Sequence, residues 1–248
     1  MHVVAVPCLQ DNYAYLVIEE GRAAVVDPSE AAPIEAALAR EGVTLAAIWA
    51  THHHHDHVGG IKGLVAAHPG IDVIASTTDA AKVPHVTRTV NDGDEVAFGN
   101  LRAKIIHNPA HTLGGITFLI EGCAFTGDTL FGAGCGRLFE GDAAMMHASL
   151  SKLAALPADT RVYFGHEYTA SNLRFAAAVE PDNAAVARRA RELTTPSTPS
   201  TLRDEHATNP FLRSTEPAVI AAARAHGATS DDPVSVFAAI RAWKDSFK

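Results

Sequence analysis

Cysteine is scarce in this chain: Cys8, Cys123 and Cys135 are the only three in 248 residues, and no C-x-x-C pair occurs. An odd number without paired spacing excludes a disulfide framework and a thiolate zinc site, and leaves buried reduced thiols as the expectation. Positive charge is also in deficit, with 20 Lys and Arg against 28 Asp and Glu and a formal net charge of -8. No basic excess exists to displace counterions, so nucleic acid is not the expected partner. No apolar run reaches membrane-spanning length, and Met1-His2-Val3-Val4-Ala5-Val6-Pro7 lacks the basic region and long apolar core of a signal peptide. A cytoplasmic protein without a membrane partner is expected. At 47% hydrophobic and 19% charged residues the composition is that of a globular chain, long enough for one large α/β domain or a main domain with an appendage.

Histidine, by contrast, is plentiful, and its placement is uneven. Thr51 to Gly60 reads T-H-H-H-H-D-H-V-G-G, five histidines and an aspartate in six positions. The residues before it, Leu45 to Ala50, suit a buried strand, and Val58 to Ala67 suits the following helix. The cluster therefore stands at the C-terminal end of a strand, where loops of an open α/β sheet converge on one crevice. Alternate residues of an extended loop face the same side, so His52 and His54 can address one ion while His53 and His55 point away. Asp56 and His57 diverge as the helix opens and suit a second ion. An internal strand-to-helix position interrupted by aspartate does not fit a purification tag or a low-complexity tract.

The same arrangement recurs along the chain. Leu101 to Ile106 reads as a strand that leads to His111, which is followed by Gly114-Gly115, where missing side chains let the backbone approach a ligand. Ile116 to Ile120 and Cys123 to Thr126 read as a hairpin ending in Gly127-Asp128. A carboxylate at the end of an apolar strand has to be paired, hydrogen-bonded or metal-bound, and its two oxygens can bridge two cations. Arg161 to Phe164 is a strand ending in Gly165-His166. Five imidazoles and two carboxylates, His52, His54, Asp56, His57, His111, Asp128 and His166, are too many for one tetrahedral ion and suit zinc, iron or manganese. His68, His85, His107 and His147 read as ordinary surface or core histidines, and Asp27, beside Pro28, reads as a turn residue in preference to a carboxylate standing behind a ligand, since no partner for it is visible. Beyond Thr169 helical spacing dominates: Ser171 to Val179, Ala184 to Leu193, Pro217 to His226 and Val234 to Phe247, with no further strand run. Arg241 and Lys244 share a face of the last helix.

T-H-H-H-H-D-H with the later histidine, Gly-Asp and Gly-His positions resembles the metallo-β-lactamase superfamily. More specific are F-T-G-D-T-L-F from Phe125, G-C-G-R ending at Arg137, G-H-E-Y-T from Gly165, Asn209-Pro210-Phe211, and Arg241-Ala242-Trp243-Lys244-Asp245. With these, nearly the whole chain resembles the glyoxalase II family, the hydroxyacylglutathione hydrolases. The resemblance implies a four-layer αβ/βα sandwich over residues 1–166 carrying a dinuclear metal site, and a helical glutathione-binding domain over residues 167–248. It implies that His52, His54 and His111 hold one ion, that Asp56, His57 and His166 hold the other, and that Asp128 bridges them. Two divalent ions are implied, zinc foremost, with iron or manganese as alternatives. Glutathione contacts fall by the same resemblance on Arg137, Phe139, Tyr168, Arg241 and Lys244. Phe139 is a departure, since some relatives carry tyrosine there, and a side-chain hydroxyl contact is lost.

The reaction so implied is hydrolysis of S-D-lactoylglutathione and other S-2-hydroxyacylglutathiones, the second step of methylglyoxal detoxification. Hydroxide held between the ions attacks the thioester, Asp128 bridges the site, and Asp56 orients or accepts the proton. A thiolate, with a pKa near 8.5, leaves without a dedicated acid. The partner is thus a small glutathione thioester, and a monomer is expected. The rival readings are a glutathione persulfide dioxygenase of the same superfamily, which uses one iron, and a metal-binding protein without turnover. Donors dispersed over four strand ends argue against the latter, since storage tolerates tandem ligands and catalysis needs a fixed geometry.

Overall fold

The computed structural model describes residues 1–247. Its first sheet runs in the order β1 (His2–Cys8), β2 (Asn12–Glu19), β3 (Arg22–Val26), β4 (Thr44–Trp49), β5 (Asp72–Ser76) and β6 (Arg88–Val90). The first three pair antiparallel and β3 to β6 pair parallel. The second sheet has β7 (Glu95–Phe98), β8 (Leu101–His107), β9 (Ile116–Ile120) and β10 (Cys123–Gly127) as an antiparallel meander. A small hairpin of β11 (Leu130–Phe131) and β12 (Gly134–Cys135) follows; then β13 (Arg161–Phe164) joins β10 in parallel and β14 (Ser200–Thr201) pairs with β13.

Period-two alternation sorts the strand residues into layers. In β2, Tyr13, Tyr15 and Val17 face the second sheet while Ala14 and Leu16 face the helices α1 (Ala31–Glu41) and α3 (Ile61–Ala67). In β13, Tyr163 faces the first sheet while Val162 and Phe164 face α4 (Ala143–Ala154) and α5 (Thr169–Val179). Both faces of each sheet are covered, so the strands read as near-continuous apolar runs. The result is helix, sheet, sheet, helix. Trp49 and Phe118 stack between the sheets with ring centroids 5.0 Å apart.

The tail continues with α6 (Ala184–Glu192), which packs on α5 through Val186, Leu173 and Ala176, and with α7 (Leu202–Thr208), α8 (Pro217–Ala225) and α9 (Pro233–Ser246), which close over α4 and the outer face of the second sheet. Two details depart from the sequence expectations. The tail contributes a strand after all, since Ser200–Thr201 pairs with Arg161 and Val162. The helix after the histidine run is two pieces, α2 (His55–Val58) and α3. Gly59 and Gly60 stand between them and have to be glycine, because the main chain of residues 28–30 lies against them and a Cβ would fall 2.7 Å from Ser29 O and 2.6 Å from Glu30 C. Among the described residues, no helix is long and apolar enough to cross a membrane.

Candidate metal centre

Strands β3, β4 and β5 end on one edge of the first sheet, and β8, β10 and β13 end on the facing edge of the second. Main-chain bonds tie the two edges together, Ile116 N–H to Thr51 O at 2.9 Å and Tyr13 N–H to Gly165 O at 2.8 Å. Gly127, at φ 48°, turns the end of β10, and a Cβ there would lie 2.2 Å from the Thr51 hydroxyl. The close approach of the sheets at this edge therefore requires glycine.

All seven expected donors meet here, six of them in two trios with Asp128 between. Donor atoms of His52, His54 and His111 lie within 4.8 Å of one another, as do those of Asp56, His57 and His166. His54 Nδ1 is 3.1 Å from His52 Nε2 and 3.0 Å from His111 Nε2. His57 Nε2 is 3.3 Å from His166 Nε2, which is 3.3 Å from Asp56 Oδ2. Asp128 stands between the trios, Oδ2 at 3.3 Å from His111 and 3.4 Å from His166, Oδ1 at 3.3 Å from His57. The nitrogen separations approximate the edge of a tetrahedron drawn at zinc–imidazole bond lengths of roughly 2.0–2.1 Å. Asp128 Oδ1 is buried and makes no hydrogen bond among the described residues, an orphaned anionic oxygen that favours a cation. The donor set thus fits two divalent ions.

Protonation divides the trios. Burial and the neighbouring imidazoles hold His52 well below the ordinary histidine range, and burial also lowers His54 and His111. For His166, burial pulls the other way from its bonds to Asp128 and Asp56, which win and push it up to about 10. His57 is likewise raised against burial, by Asp128 and Asp27. Asp128 stays ionised despite burial because His57 and His166 lie beside it.

Of the residues behind the donors, the sequence offered Asp27 only as the lesser alternative to a turn and gave no sign of Asp11 or Asn12. Asp27 is 2% exposed; its oxygens accept from Thr51 N–H at 2.7 Å, the Thr51 hydroxyl at 2.6 Å and His57 Nδ1 at 3.0 Å. It orients a candidate ligand and is not merely a turn residue. Asp11 does the same for His166 Nδ1 at 2.9 Å, and Asn12 Nδ2 donates to Asp56 Oδ2 at 3.1 Å. The sequence signal for Asp27 was the one that marked Asp128, a carboxylate closing an apolar strand; Asp11 and Asn12 gave none beyond a turn. Of the Gly114-Gly115 pair, Gly115 borders a small cavity behind His52, His111 and Asp128 and neither lines the open cleft. The pair lies over Asp79 and Asn108, with a Gly114 Cβ 2.2 Å from Asp79 Oδ1 and a Gly115 Cβ 2.9 Å from Asn108 O. His55 is exposed, while His68, His107 and His147 bond to Glu35, Leu113 O and Ser214.

A cleft of about 500 Å³ opens over the trios, and Arg137, Phe139, Tyr168, Arg241 and Lys244 all line it. Tyr168 stacks on His166, and the Phe139 ring, 61% exposed, meets His54 and His111 edge-on at 5.7 and 5.2 Å. Arg241 is buried, its guanidinium bonding to Cys135 O and Asp245 at 2.9 Å each and lying over Phe211. Lys244 is lowered by burial and then by Arg241, Arg174 and Arg137. That gathering of like charge favours an anion in the cleft.

A model of the metallo-beta-lactamase superfamily matches residues 10–166, and one of the hydroxyacylglutathione hydrolase C-terminus matches residues 167–247. The chain is 51% identical to the hydroxyacylglutathione hydrolase of Alkalilimnicola ehrlichii, over 98% of each chain. To that of Gloeobacter violaceus it is 50% identical, over 96% of this chain and 97% of the relative. Among solved structures, ETHE1 from Myxococcus xanthus superposes with a TM-score of 0.68 at 23% identity, over 100% of both chains, and so shares the fold. TTHA1623 in a di-iron-bound form superposes with a TM-score of 0.64 at 28% identity, over 86% of this chain and 100% of that one.

Proposed function

This chain belongs to the metallo-beta-lactamase superfamily and, within it, to the hydroxyacylglutathione hydrolases, and from that premise we propose that it hydrolyses S-D-lactoylglutathione and related S-2-hydroxyacylglutathiones to glutathione and the hydroxy acid. His52, His54 and His111 would hold one divalent ion and Asp56, His57 and His166 the other, with Asp128 shared, and zinc suits the nitrogen and oxygen donors. When bound, two such ions supply hydroxide near neutral pH and polarise the thioester carbonyl. The observation that carries the reading is that one cleft joins donors of both trios, His54 and His111 with Asp56 and His166, and Asp128 between them, to a wall of Arg137, Arg241 and Lys244.

The chain's own residues perform the rest. Asn12 fixes the Asp56 carboxylate through Oδ2, so Asp56 is placed to orient the proton of the attacking water. Asp11 and Asp27 hold the rings of His166 and His57 through their Nδ1 atoms, which fixes the tautomer that turns Nε2 towards the cleft. The cationic wall matches glutathione, whose two carboxylates outweigh its one ammonium. Phe139 offers ring surface without a hydroxyl, so its contact is apolar or through the main chain. Residues 1–166 supply the donors and residues 167–248 add Tyr168, Arg241 and Lys244. A single-iron dioxygenase would leave Asp56, His57 and His166 without a task, and no observation favours it.

Purified protein of measured metal content is assayed for cleavage of S-D-lactoylglutathione, beside His166→Ala and Lys244→Ala. Cleavage that collapses in the first variant and shows a raised KM in the second is the expected result. No cleavage with two metal equivalents bound would sink the reading.

A further inference from the structure

After β5 the chain turns through residues 77–82, and Asp79 points back into the protein, 1% exposed. Its Oδ2 accepts from the main-chain N–H of His53 at 3.1 Å and from the Thr112 hydroxyl at 3.3 Å, and lies 2.9 Å from His53 Nδ1. His53 stands between His52 and His54, and Thr112 directly follows His111. One buried carboxylate therefore fastens the loop of the first sheet to the loop of the second, at the residues flanking all three members of the first trio. The fit on the far side is steric, since a Cβ on Gly114 would lie 2.2 Å from both Asp79 Cγ and Oδ1. Only glycine lets the second loop lie against the carboxylate.

We propose that Asp79 is a positioning residue that sets the gap between these two loops and thereby the affinity of the His52, His54 and His111 trio for its cation, a step that rests on the dinuclear reading above. Of the other ties between the loops, Ile116 N–H to Thr51 O sits at their base, and Glu140, which accepts from Leu113 N–H at 2.7 Å and lies 3.6 Å from His53 Nε2, bridges them at the surface. Nearby Lys82 and Glu140 pair at 2.8 Å, but both are open to solvent, where such pairs contribute little. The Lys82 ammonium beside Glu140 also makes a third metal site of His53, Asp79 and Glu140 unfavourable. Burial is what gives Asp79 its hold. Its bonds to an N–H and a hydroxyl are charge-assisted and shielded from water.

The test separates the trios. In a His166→Ala background, where the first trio alone is complete, Asp79→Ala lowers the affinity for Zn²⁺, measured against a chromophoric chelator, by about 10–100-fold, the usual effect of losing an outer partner of a metal site. In a His111→Ala background, where the second trio is complete, the same substitution leaves the affinity unchanged. Gly114→Ala reproduces the first-trio loss with Asp79 intact, because its Cβ wedges the loops apart. Asp79→Asn, whose amide oxygen still accepts from His53 N–H and Thr112, falls between. A purely structural role would weaken both trios alike, and that result, or an unchanged first trio, overturns the proposal. If Asp79→Ala does not fold, Gly114→Ala and Asp79→Asn make the same comparison. Uptake of a single equivalent by the unaltered protein would instead defeat the dinuclear reading, with the first-trio affinity still testing Asp79.

Discussion

At the scale of single residues, the two trios differ in what they must give up to bind a cation. His52, His54 and His111 are held neutral by burial and offer lone pairs at once. His166, raised to about 10 by Asp128 and Asp56, is imidazolium at neutral pH in the metal-free protein, and Asp128 and Asp27 shift His57 in the same direction. Cations compete with those protons. Titrating metal-free protein with Zn²⁺ at pH 7 in weak buffer, followed with a pH indicator, should release protons chiefly with the equivalent that enters the second trio. Equal release with both equivalents would contradict this. The same shift sets the stability of the metal-free protein. His166 rises from an ordinary 6.5 to about 10, so its contribution is complete below 6.5 and disappears as pH climbs through 10. The melting temperature of the chelated protein should fall over that window, with a smaller fall in His166→Gln. The seven candidate donors stood out in the sequence because they gather just beyond the ends of four apolar strands, where a polar side chain needs a partner. Asp27 showed only as a carboxylate closing a strand and Asp79 not at all, because their partners, Thr51, His57, His53 and Thr112, come from elsewhere in the chain and only the fold brings them within reach.

Elements of two or three residues carry too few alternations to show a period, and β6, β11, β12 and β14 were invisible for that reason. What holds the β11–β12 hairpin is not its own pairing but the tail. Asn209 is 0% exposed; its amide donates to Gly134 O at 2.9 Å, Phe131 O at 3.4 Å and Glu205 at 3.0 Å, and its oxygen accepts from Phe211 N–H at 3.1 Å. Glu205, also 0% exposed, accepts from Ala133 N–H at 2.7 Å and pairs with Arg189 at 2.6 Å, holding Ala133 at φ 53°. The Asn209-Pro210-Phe211 motif thus fastens tail to hairpin. Since Phe131 and Cys135 of the hairpin line the cleft, Asn209→Ala should do two things. It leaves buried carbonyls unpaired, at a cost of about 1–3 kcal/mol seen in denaturant unfolding, and it raises KM by loosening the cleft wall. Asp232→Ala, which removes the cap that Val234 and Ser235 N–H groups use on α9, costs about 1 kcal/mol and leaves KM nearly unchanged. Matching KM values for the two variants would separate the hairpin from the substrate site.

The whole molecule joins a net charge of -8 to a cleft whose wall is cationic. The strands and helices were legible, because strands with covered faces read as apolar runs and the helical stretches kept their 3.6-residue spacing, while their stacking into a four-layer sandwich was implied by the family resemblance alone. The joining of tail to sheet through Ser200–Thr201 was not, since two residues set no pattern. The surface charge sets the approach of substrate. An anionic thioester meets repulsion everywhere except at the cleft, where Arg137, Arg241 and Lys244 stand together, so the field selects one approach rather than simply attracting. Screening acts on that field over about 10 Å at 0.1 M salt and about 3 Å at 1 M. For the unaltered enzyme kcat/KM should therefore fall as NaCl is raised across this range, with kcat nearly constant. Arg137 is the exposed member of the wall, so its charge acts on approaching substrate through solvent, whereas Arg241 is buried against Asp245 and Cys135. The double variant Arg137→Gln with Lys244→Gln should start lower and show a clearly shallower dependence on salt. An identical slope in both proteins would mean that the wall contributes contact alone, with steering arising elsewhere on the surface.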